Sequence, residues 1–362
     1  MKRVLNFYPG PSALPVETLE QAQRELLDWV GTGMSVLEIS HRSKEFSAVH
    51  QEAIALLRGL YGVPNNFHIL FLQGGASLQF AMIPMNLLGD GDAADYIVTG
   101  RFSNNAYKTA KTMKTVHLAA STEVEGKYFR IPKNHEIHLS KDSVYCHLTS
   151  NNTIFGTQWK QFPDTGGIPI VADMSSDILS RKTDFADFGL IYAGAQKNLG
   201  PAGVTVVLIR DDLLKRALPN LPDILSYRTL VEKNSLYNTP CCFGVYMLRN
   251  MLKWVEKKGG LESIEAQNEK KAEILYRIID ENSSFFLSRV EKESRSNMNV
   301  TFNLSSETLE TRFIDDAASE GIIGIKGHRS VGGVRISIYN SHGVEDIERV
   351  AEFMKRFVET HG

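Results

Sequence analysis

The sequence predicts an α/β protein: a mainly parallel sheet with helices on both faces, followed by a smaller α/β domain at the C-terminal end. Two observations indicate this fold. Short apolar runs alternate with helical patterns, and a second alternation begins late in the chain. A chain of 362 residues is long enough for one large domain and a smaller companion. Ligands of such sheets gather at the carboxyl ends of the strands, so the residues after each run matter most.

The composition excludes several classes of protein. The chain has 40 Lys+Arg against 42 Asp+Glu and no basic stripe, so we expect no nucleic-acid partner. The N-terminal residues lack the apolar core of a signal peptide, and no apolar run approaches membrane-spanning length. Cys146, Cys241 and Cys242 are too few for a disulfide framework. We therefore expect a cytoplasmic protein without a membrane partner, and the sequence predicts no metal site.

The chain begins with an extended arm at residues 6–15, which hold three prolines and a glycine. Residues 17–30 have helical spacing. A short polar loop containing His41 and Arg42 then precedes a helix that runs through Leu60. Taken alone, His41 and Arg42 are typical of a solvated loop.

A compact apolar run at residues 67–72 predicts a strand that leads into Gly74, Gly75, Ala76 and Ser77 at the start of a helix. This order presents backbone N–H groups and a helix N-terminus to an anion. Glycine allows the backbone to approach the anion without a Cβ in the way. The signal is weak by itself, since a Gly-Gly turn between a strand and a helix is more often only a turn.

Further runs predict strands at residues 94–99, 143–149 and 204–209, and two more within residues 167–203. Cys146 and His147 are neighbours in one of these strands and point to opposite faces. They are therefore not expected to form a nucleophile and its base, and we expect Cys146 to pack in the core.

The second half contains an irregular polar segment at residues 219–237, followed by helices at residues 243–258 and 261–280. The late alternation predicts strands at 299–304 and 333–339 and helices at 306–320 and 344–359. We place a domain boundary near Gly260. The predicted large domain is residues 16–260, and the predicted small domain combines residues 1–15 with residues 261–362.

Within residues 167–203, one apolar run ends in Asp173 and the next leads into Gln196 and Lys197. A lysine after an apolar strand usually lies at the surface. Here its neighbours are small, which leaves room for a flat cofactor, and an apolar environment lowers a lysine pKa toward the neutral amine that forms a Schiff base. A carboxylate such as Asp173 keeps a pyridine nitrogen protonated. The pair can therefore hold the two ends of a pyridine ring that carries an aldehyde.

Six stretches of the sequence carry recognisable motifs: 173–176, 194–203, 74–77, 327–340, 6–11 and 39–42. Together these motifs resemble the phosphoserine aminotransferases, in the class V group of fold type I pyridoxal-phosphate-dependent transferases. The resemblance covers essentially the whole chain.

The resemblance implies roles for individual residues around pyridoxal 5′-phosphate. Lys197 would hold the cofactor through its amine and move the proton from the substrate Cα, and Asp173 would pair with the ring nitrogen. The other implied contacts are Ala76, Ser77 and Gln196 to the cofactor phosphate, Thr153 to the ring hydroxyl, Phe102 to the ring face, and Asn238 and Thr239 to the phosphate across the interface of a homodimer with shared active sites.

Phe102 departs from the family pattern, which commonly has tryptophan stacked on the ring at this position. Phenylalanine still offers an aromatic face, with less overlap. We expect stacking to be retained, cofactor retention to be weaker, and activity to be kept.

The implied substrates carry a carboxylate and a phosphate, and arginine can bind both groups bidentately. Arg335 would hold the α-carboxylate, while His41, Arg42, His328 and Arg329 would hold the phosphate or the side-chain carboxylate of glutamate. The reaction implied is reversible transamination of 3-phosphohydroxypyruvate with L-glutamate to O-phospho-L-serine and 2-oxoglutarate, in serine biosynthesis. A phosphorylated hydroxythreonine precursor of vitamin B6 is a second possible substrate.

Three alternatives remain open at this point. A cysteine desulfurase needs a nucleophilic cysteine late in the chain, and none follows Cys242. An alanine–glyoxylate-type aminotransferase would act on unphosphorylated substrates and would not require the histidine–arginine cluster. A non-catalytic module would be supported by loss of Lys197 or Asp173, and both are present.

Overall fold

The computed structural model describes residues 3–362, which form ten α-helices and fifteen strands. The helices are α1 (Val16–Glu25), α2 (Lys44–Tyr61), α3 (Gly75–Leu87), α4 (Arg101–Lys111), α5 (Asp211–Arg216), α6 (Tyr227–Glu232), α7 (Cys242–Lys257), α8 (Gly260–Glu281), α9 (Glu307–Ser319) and α10 (Val344–His361). Short 3-10 segments lie at Asn134–Glu136, Asp223–Leu225 and Lys292–Ser294.

The strands range from two to seven residues in length. They are β1 (Leu5–Asn6), β2 (Phe67–Leu72), β3 (Ala93–Val98), β4 (Thr115–Ser121), β5 (Glu123–Val124), β6 (Lys127–Tyr128), β7 (Ser143–Thr149), β8 (Asn151–Asn152), β9 (Thr157–Gln158), β10 (Ile170–Asp173), β11 (Phe188–Gly194), β12 (Thr205–Arg210), β13 (Asn299–Phe302), β14 (Ile322–Ile323) and β15 (Val334–Ser337).

Seven strands form the central sheet in the order β2-β12-β11-β10-β7-β3-β4. Strand β10 pairs in parallel with both of its neighbours, and β3 pairs in parallel with β4 and β7. Only β12 is reversed, because it runs antiparallel to β11 and to β2. The predicted mainly parallel sheet is therefore confirmed. The carboxyl ends of β2, β3, β7, β10 and β11 share one edge.

Helices cover both faces of this sheet, as predicted. One face packs against α2 and α7 through residues such as Val49 and Leu248, and the other packs against α3 and α4 through residues such as Phe80. Cys146 lies in the core of the first face. His147 points to the opposite face, where its Nε2 lies 2.8 Å from the hydroxyl of Tyr192. The predicted alternation along this strand is confirmed.

A separate apolar cluster unites the N-terminal arm with the C-terminal elements. Leu5 and Phe7 pack with residues of α8, α9 and α10, and β1 pairs in parallel with β14. Helix α8 contributes to two clusters, since Leu261 and Ile264 pack with the large sheet while Leu275 packs in the C-terminal cluster. The division of the chain at residue 260 stays a prediction.

Two predicted segments differ from the structure. The helix expected over residues 17–30 ends at Glu25, because the Asp28 carboxylate accepts from the Gly33 N–H at 2.8 Å and Val30 takes a positive φ of 53°. The segment at 219–237, expected to be irregular, contains helix α6. The hydroxyl of Ser226 accepts from the Thr229 N–H at the start of α6, and buried Tyr227 anchors it.

Strand β4 was not predicted from the sequence. It lies at the edge of the sheet, and its exposed residues interrupt the apolar pattern.

No helix within residues 3–362 has both the length and the apolar character needed to cross a membrane.

The C-terminal cluster should depend strongly on Phe313, which is fully buried between Phe353 and Phe357 at ring-centroid distances of 5.0 Å each. We expect Phe313→Ala to lower the free energy of unfolding by about 3–5 kcal/mol, because it removes apolar burial and leaves a cavity. Denaturant unfolding followed by circular dichroism measures this change.

The matched control is Val124→Ala, since Val124 is 68% exposed. It should change the free energy of unfolding by no more than about 0.5 kcal/mol. Equal effects of the two substitutions would show that the aromatic cluster does not stabilise this part of the chain.

Candidate active site

Asp173 ends β10 and lies in register with Tyr192 of the adjacent parallel strand β11. Its carboxylate is almost fully buried, at 4% exposure. Oδ1 accepts the N–H of Ser175 at 2.9 Å and its hydroxyl at 2.6 Å. Burial raises the pKa of Asp173, while the positive charge of Lys197 and the Ser175 hydrogen bonds oppose that rise. Oδ2 is not used by either hydrogen bond and is free to face a ligand.

Lys197 follows β11 by three residues and points toward the same edge of the sheet. Its Nζ donates to the hydroxyl of Thr153 at 2.9 Å and lies 5.1 Å from the ring centroid of Phe102. Burial lowers the pKa of Lys197, the charge of Asp173 opposes this, and the charge of Arg335 adds to it. A lysine with a lowered pKa is more often the neutral amine, the form that attacks a carbonyl carbon.

The N-terminal arm covers the stem of Lys197, a contact that the sequence did not reveal. The backbone N–H of Ser12 donates to the carbonyl of Gln196 at 2.9 Å, and the Ser12 hydroxyl donates to the carbonyl of Lys197. Gly10 has a φ of +142°, and a Cβ there would lie 3.0 Å from Cγ of Lys197. The proline-rich arm is thus part of the site.

The glycine turn after β2 forms the predicted strand–turn–helix arrangement. Gly74 is the N-cap of α3 in a left-handed conformation, and Ala76 and Ser77 lie in the first turn, which carries no acidic residue. The free N–H groups of a helix start favour an anion there. Phe80 on this helix packs edge-on against Tyr192 at 6.3 Å, which places the turn beside the strand that leads to Lys197.

Asn238 and Thr239 lie beside the same turn within one chain. The amide nitrogen of Asn238 donates to Oε1 of Gln73 at 3.1 Å, and that of Gln73 donates to the carbonyl of Thr239 at 3.1 Å. Gln196 is half-buried, and its side-chain oxygen would lie 2.7 Å from a Cβ at Gly194. The contact of Asn238 and Thr239 with a cofactor of the partner subunit stays a prediction.

Three arginines and one histidine form a group near Lys197. Arg335, on β15, is buried to 7% exposure, and its Nε has no hydrogen-bond partner within residues 3–362. Burial lowers the pKa of His328, and the charges of Arg335, Arg101 and Arg329 lower it further. No ion pair with a carboxylate involves these four side chains within the described residues. A buried cation without a partner is costly, so Arg335, with the charges of Arg101 and Arg329 nearby, is suited to an anionic ligand.

Arg101 was not predicted from the sequence. It is the first residue of α4, directly before Phe102, and the first turn of that helix carries no acidic residue. A cation is unfavourable at a helix N-terminus because it opposes the helix dipole. An arginine at this position, next to a residue already assigned to the site, is the signal that could have found it.

His41 and Arg42 lie in the exposed loop before α2. Arg42 Nε lies 3.4 Å from His41 Nε2, and the Arg42 N–H donates to the hydroxyl of Ser40 at 3.3 Å. Within residues 3–362 of one chain, no hydrogen bond joins them to His328 or Arg329. The single chain therefore brings together Asp173, Lys197, Thr153 and Phe102, whereas His41 and Arg42 make no hydrogen bond to His328 or Arg329 within residues 3–362.

The sequence and the structure are similar to those of known proteins. The model of the class V aminotransferase family matches residues 4–350. A phosphoserine aminotransferase of Halalkalibacterium halodurans is 54% identical over 361 residues, which cover 100% of each chain. The structure of phosphoserine aminotransferase from Bacillus circulans subsp. alkalophilus is 51% identical, with a TM-score of 0.97 and 100% coverage of both chains. A pyridoxal-phosphate-bound phosphoserine aminotransferase from Trichomonas vaginalis is 40% identical, with a TM-score of 0.92 and coverage of 98% of this chain and 100% of that one.

A substitution in the N-terminal arm tests the contact between Gly10 and Lys197. We expect Gly10→Ala to slow the appearance of a visible absorption band with added pyridoxal 5′-phosphate by roughly tenfold, because the new Cβ would displace the side chain that reacts. The rate of band formation in the purified, cofactor-free protein measures this.

Gly126→Ala is the matched control. Gly126 also has a positive φ, of +77°, but a Cβ added there would have no neighbouring atom within 4 Å. This variant also places a Cβ on backbone of positive φ, and it should react at the normal rate. Equal rates for the two variants would contradict the contact between the arm and Lys197.

Proposed function

This chain belongs to the phosphoserine aminotransferase family within the class V aminotransferases, and we propose that it transfers an amino group reversibly between L-glutamate and 3-phosphohydroxypyruvate. The products are 2-oxoglutarate and O-phospho-L-serine, and the proposed role is in serine biosynthesis. One arrangement carries the proposal: the buried Asp173 and the half-buried Lys197 lie near Arg335, Arg101 and Arg329, which have no carboxylate partner within the described residues. The identity to phosphoserine aminotransferases over the full chain supports the same reaction.

The cofactor is pyridoxal 5′-phosphate, and the residues present fit it. The free oxygen of Asp173 suits a protonated ring nitrogen, the ring of Phe102 offers an aromatic face, and the start of α3 at Ala76 and Ser77 suits a phosphate. The hydroxyl of Thr153 accepts a hydrogen bond from Nζ of Lys197, and Gln196 directly precedes Lys197 in the sequence. When bound, the cofactor supplies a conjugated ring that withdraws electrons from the substrate Cα.

The chain's own residues position the substrate and move its proton. Nζ of Lys197, whose pKa is lowered by burial, would take the proton from the substrate Cα and pass it to the cofactor carbon that carries the aldehyde. Thr153 holds this nitrogen through its hydroxyl when the lysine is free. The charge of Lys197 favours the ionised form of Asp173, and in that form the carboxylate would hold a proton on the group that it pairs with.

We assign the recognition of the substrate carboxylate and phosphate to the arginines near Lys197 and to His328. Buried Arg335 binds the α-carboxylate, and His328 and Arg329 bind the phosphate or the side-chain carboxylate of glutamate. Arg101 adds a positive charge to the same cluster. The phosphate of 4-phosphohydroxy-L-threonine, a precursor of vitamin B6, would bind in the same way.

We further propose a homodimer with shared sites. Exposed apolar side chains just before His41 support an interface there, since Leu27, Val30 and Leu37 are 85%, 74% and 59% exposed. Such an interface would bring His41 and Arg42 to the cation cluster of the partner, and Asn238 and Thr239 to its cofactor. A cytoplasmic location is also part of the proposal, supported by three cysteines that form no disulfide.

The reaction is tested by turnover of phosphoserine and 2-oxoglutarate. We expect kcat/KM for phosphoserine to exceed that for serine at least about a hundredfold, because several charge-assisted hydrogen bonds to the phosphate are lost with serine. Coupled detection of glutamate measures this ratio.

Lys197→Ala is the control for this experiment, and it should lose both the visible cofactor band and turnover. Equal turnover of serine and phosphoserine would favour an aminotransferase for unphosphorylated substrates. A purified protein that binds no pyridoxal 5′-phosphate would favour a non-catalytic role.

Shared sites are tested by mixing two inactive variants. Lys197→Ala lacks the base, and Asn238→Asp places a carboxylate against the cofactor phosphate. If each site uses both subunits, a 1:1 mixture after subunit exchange regains about a quarter of the wild-type activity, because half of the dimers are hybrids with one intact site. Activity no higher than that of the separate variants would show that the residues of one chain form each site.

A further inference from the structure

Ser175 links the two central groups of the site. It follows β10 by two residues and is buried to 5% exposure. Its hydroxyl donates to Oδ1 of Asp173 at 2.6 Å and accepts the backbone N–H of Gly194 at 3.1 Å. Gly194 is the last residue of β11, three residues before Lys197. One side chain therefore connects the carboxylate at the end of one strand with the strand that carries the lysine.

The direction of these hydrogen bonds fixes the orientation of the Ser175 hydroxyl proton. An amide N–H can only donate, so the Ser175 oxygen accepts from Gly194 and its proton is committed to Asp173. The backbone N–H of Ser175 donates to the same Oδ1 at 2.9 Å. Both donors engage one carboxylate oxygen, which fixes the rotation of the carboxylate and leaves Oδ2 as the oxygen for the cofactor.

We propose that Ser175 is a positioning residue for the transamination reaction: its hydroxyl orients the Asp173 carboxylate relative to Lys197 and keeps Oδ2 directed to the ring nitrogen. This inference rests on the proposed function and assigns Ser175 a role that it exerts through its hydrogen bond to Asp173. Ser175 acts through Asp173 alone.

The groups around Asp173 predict the direction in which its pKa changes when the Ser175 hydroxyl is removed. Lys197, Asp177 and Tyr192 are the ionisable groups whose charges interact with Asp173. Burial raises the pKa of Asp173, and the Ser175 hydroxyl opposes this because it stabilises the ionised form. Removal of the hydroxyl raises the pKa of Asp173 further. Protonation of Asp173, and the loss of its charge, then occurs at a higher pH.

The test compares Ser175→Ala with Ser176→Ala in the holoenzyme. Ser176 is equally buried and has two hydrogen bonds, both to Asn151, and none to Asp173. We expect Ser175→Ala to lower kcat by about tenfold to a hundredfold, which is the usual effect of one hydrogen bond to a charged group. We also expect the acid limb of its pH–kcat profile and the pH titration of the visible cofactor band to move to higher pH.

Ser176→Ala should leave both pH profiles in place, and Ser175→Thr, which keeps the hydroxyl, should restore them. The proposal is overturned if Ser175→Ala, folded as judged by its thermal unfolding, has the same two profiles as Ser176→Ala. The band titration needs no substrate. It therefore still tests Ser175 if the wild-type protein turns out not to act on phosphoserine, which would overturn the proposed function instead.

Discussion

Asp173 is buried and Lys197 is half-buried, and the charge of each would be costly there without the other. Burial raises the pKa of the acid and lowers that of the amine, and the attraction between them opposes both shifts. Burial therefore favours the neutral form of each group, and the attraction between them favours the charged forms. Two neighbouring parallel strands make the balance possible, because β10 and β11 end at the same edge of the sheet.

Other parts of the structure are arranged around this pair. The N-terminal arm packs with the C-terminal apolar cluster through Phe7, and its Pro9 carbonyl accepts the hydroxyl of Tyr339 at 2.8 Å. The same arm then crosses Lys197 at Gly10. The arm therefore connects the part of the chain that carries Arg335 with the lysine. A segment of a few residues near the start of the chain thus contacts both the proposed substrate-binding elements and the proposed reactive lysine.

Much of the fold could be predicted from local patterns. Strands β2 and β7 have the predicted bounds, and the long helices α7 and α8 begin and end within one residue of the prediction, because long apolar periodicities are strong signals. Helix α1 was predicted too long, since the side chain of Asp28 stabilises a turn that competes with the helix. Strand β4 and helix α6 were missed, because a neighbouring strand and a buried tyrosine stabilise them more than their own patterns do.

The sequence by itself determined the chemistry. Asp173 and Lys197 each follow an apolar run, their neighbours are small, and the histidine–arginine motifs carry the resemblance to a family that acts on phosphorylated substrates. Tertiary structure decided which groups meet: Gly10 on Lys197, Arg101 beside His328, and Ser175 between Asp173 and Gly194. The physical reason is that residue types and their spacing along one strand are local properties. A contact between segments far apart in the chain depends on strand order and register, which packing of the whole chain sets.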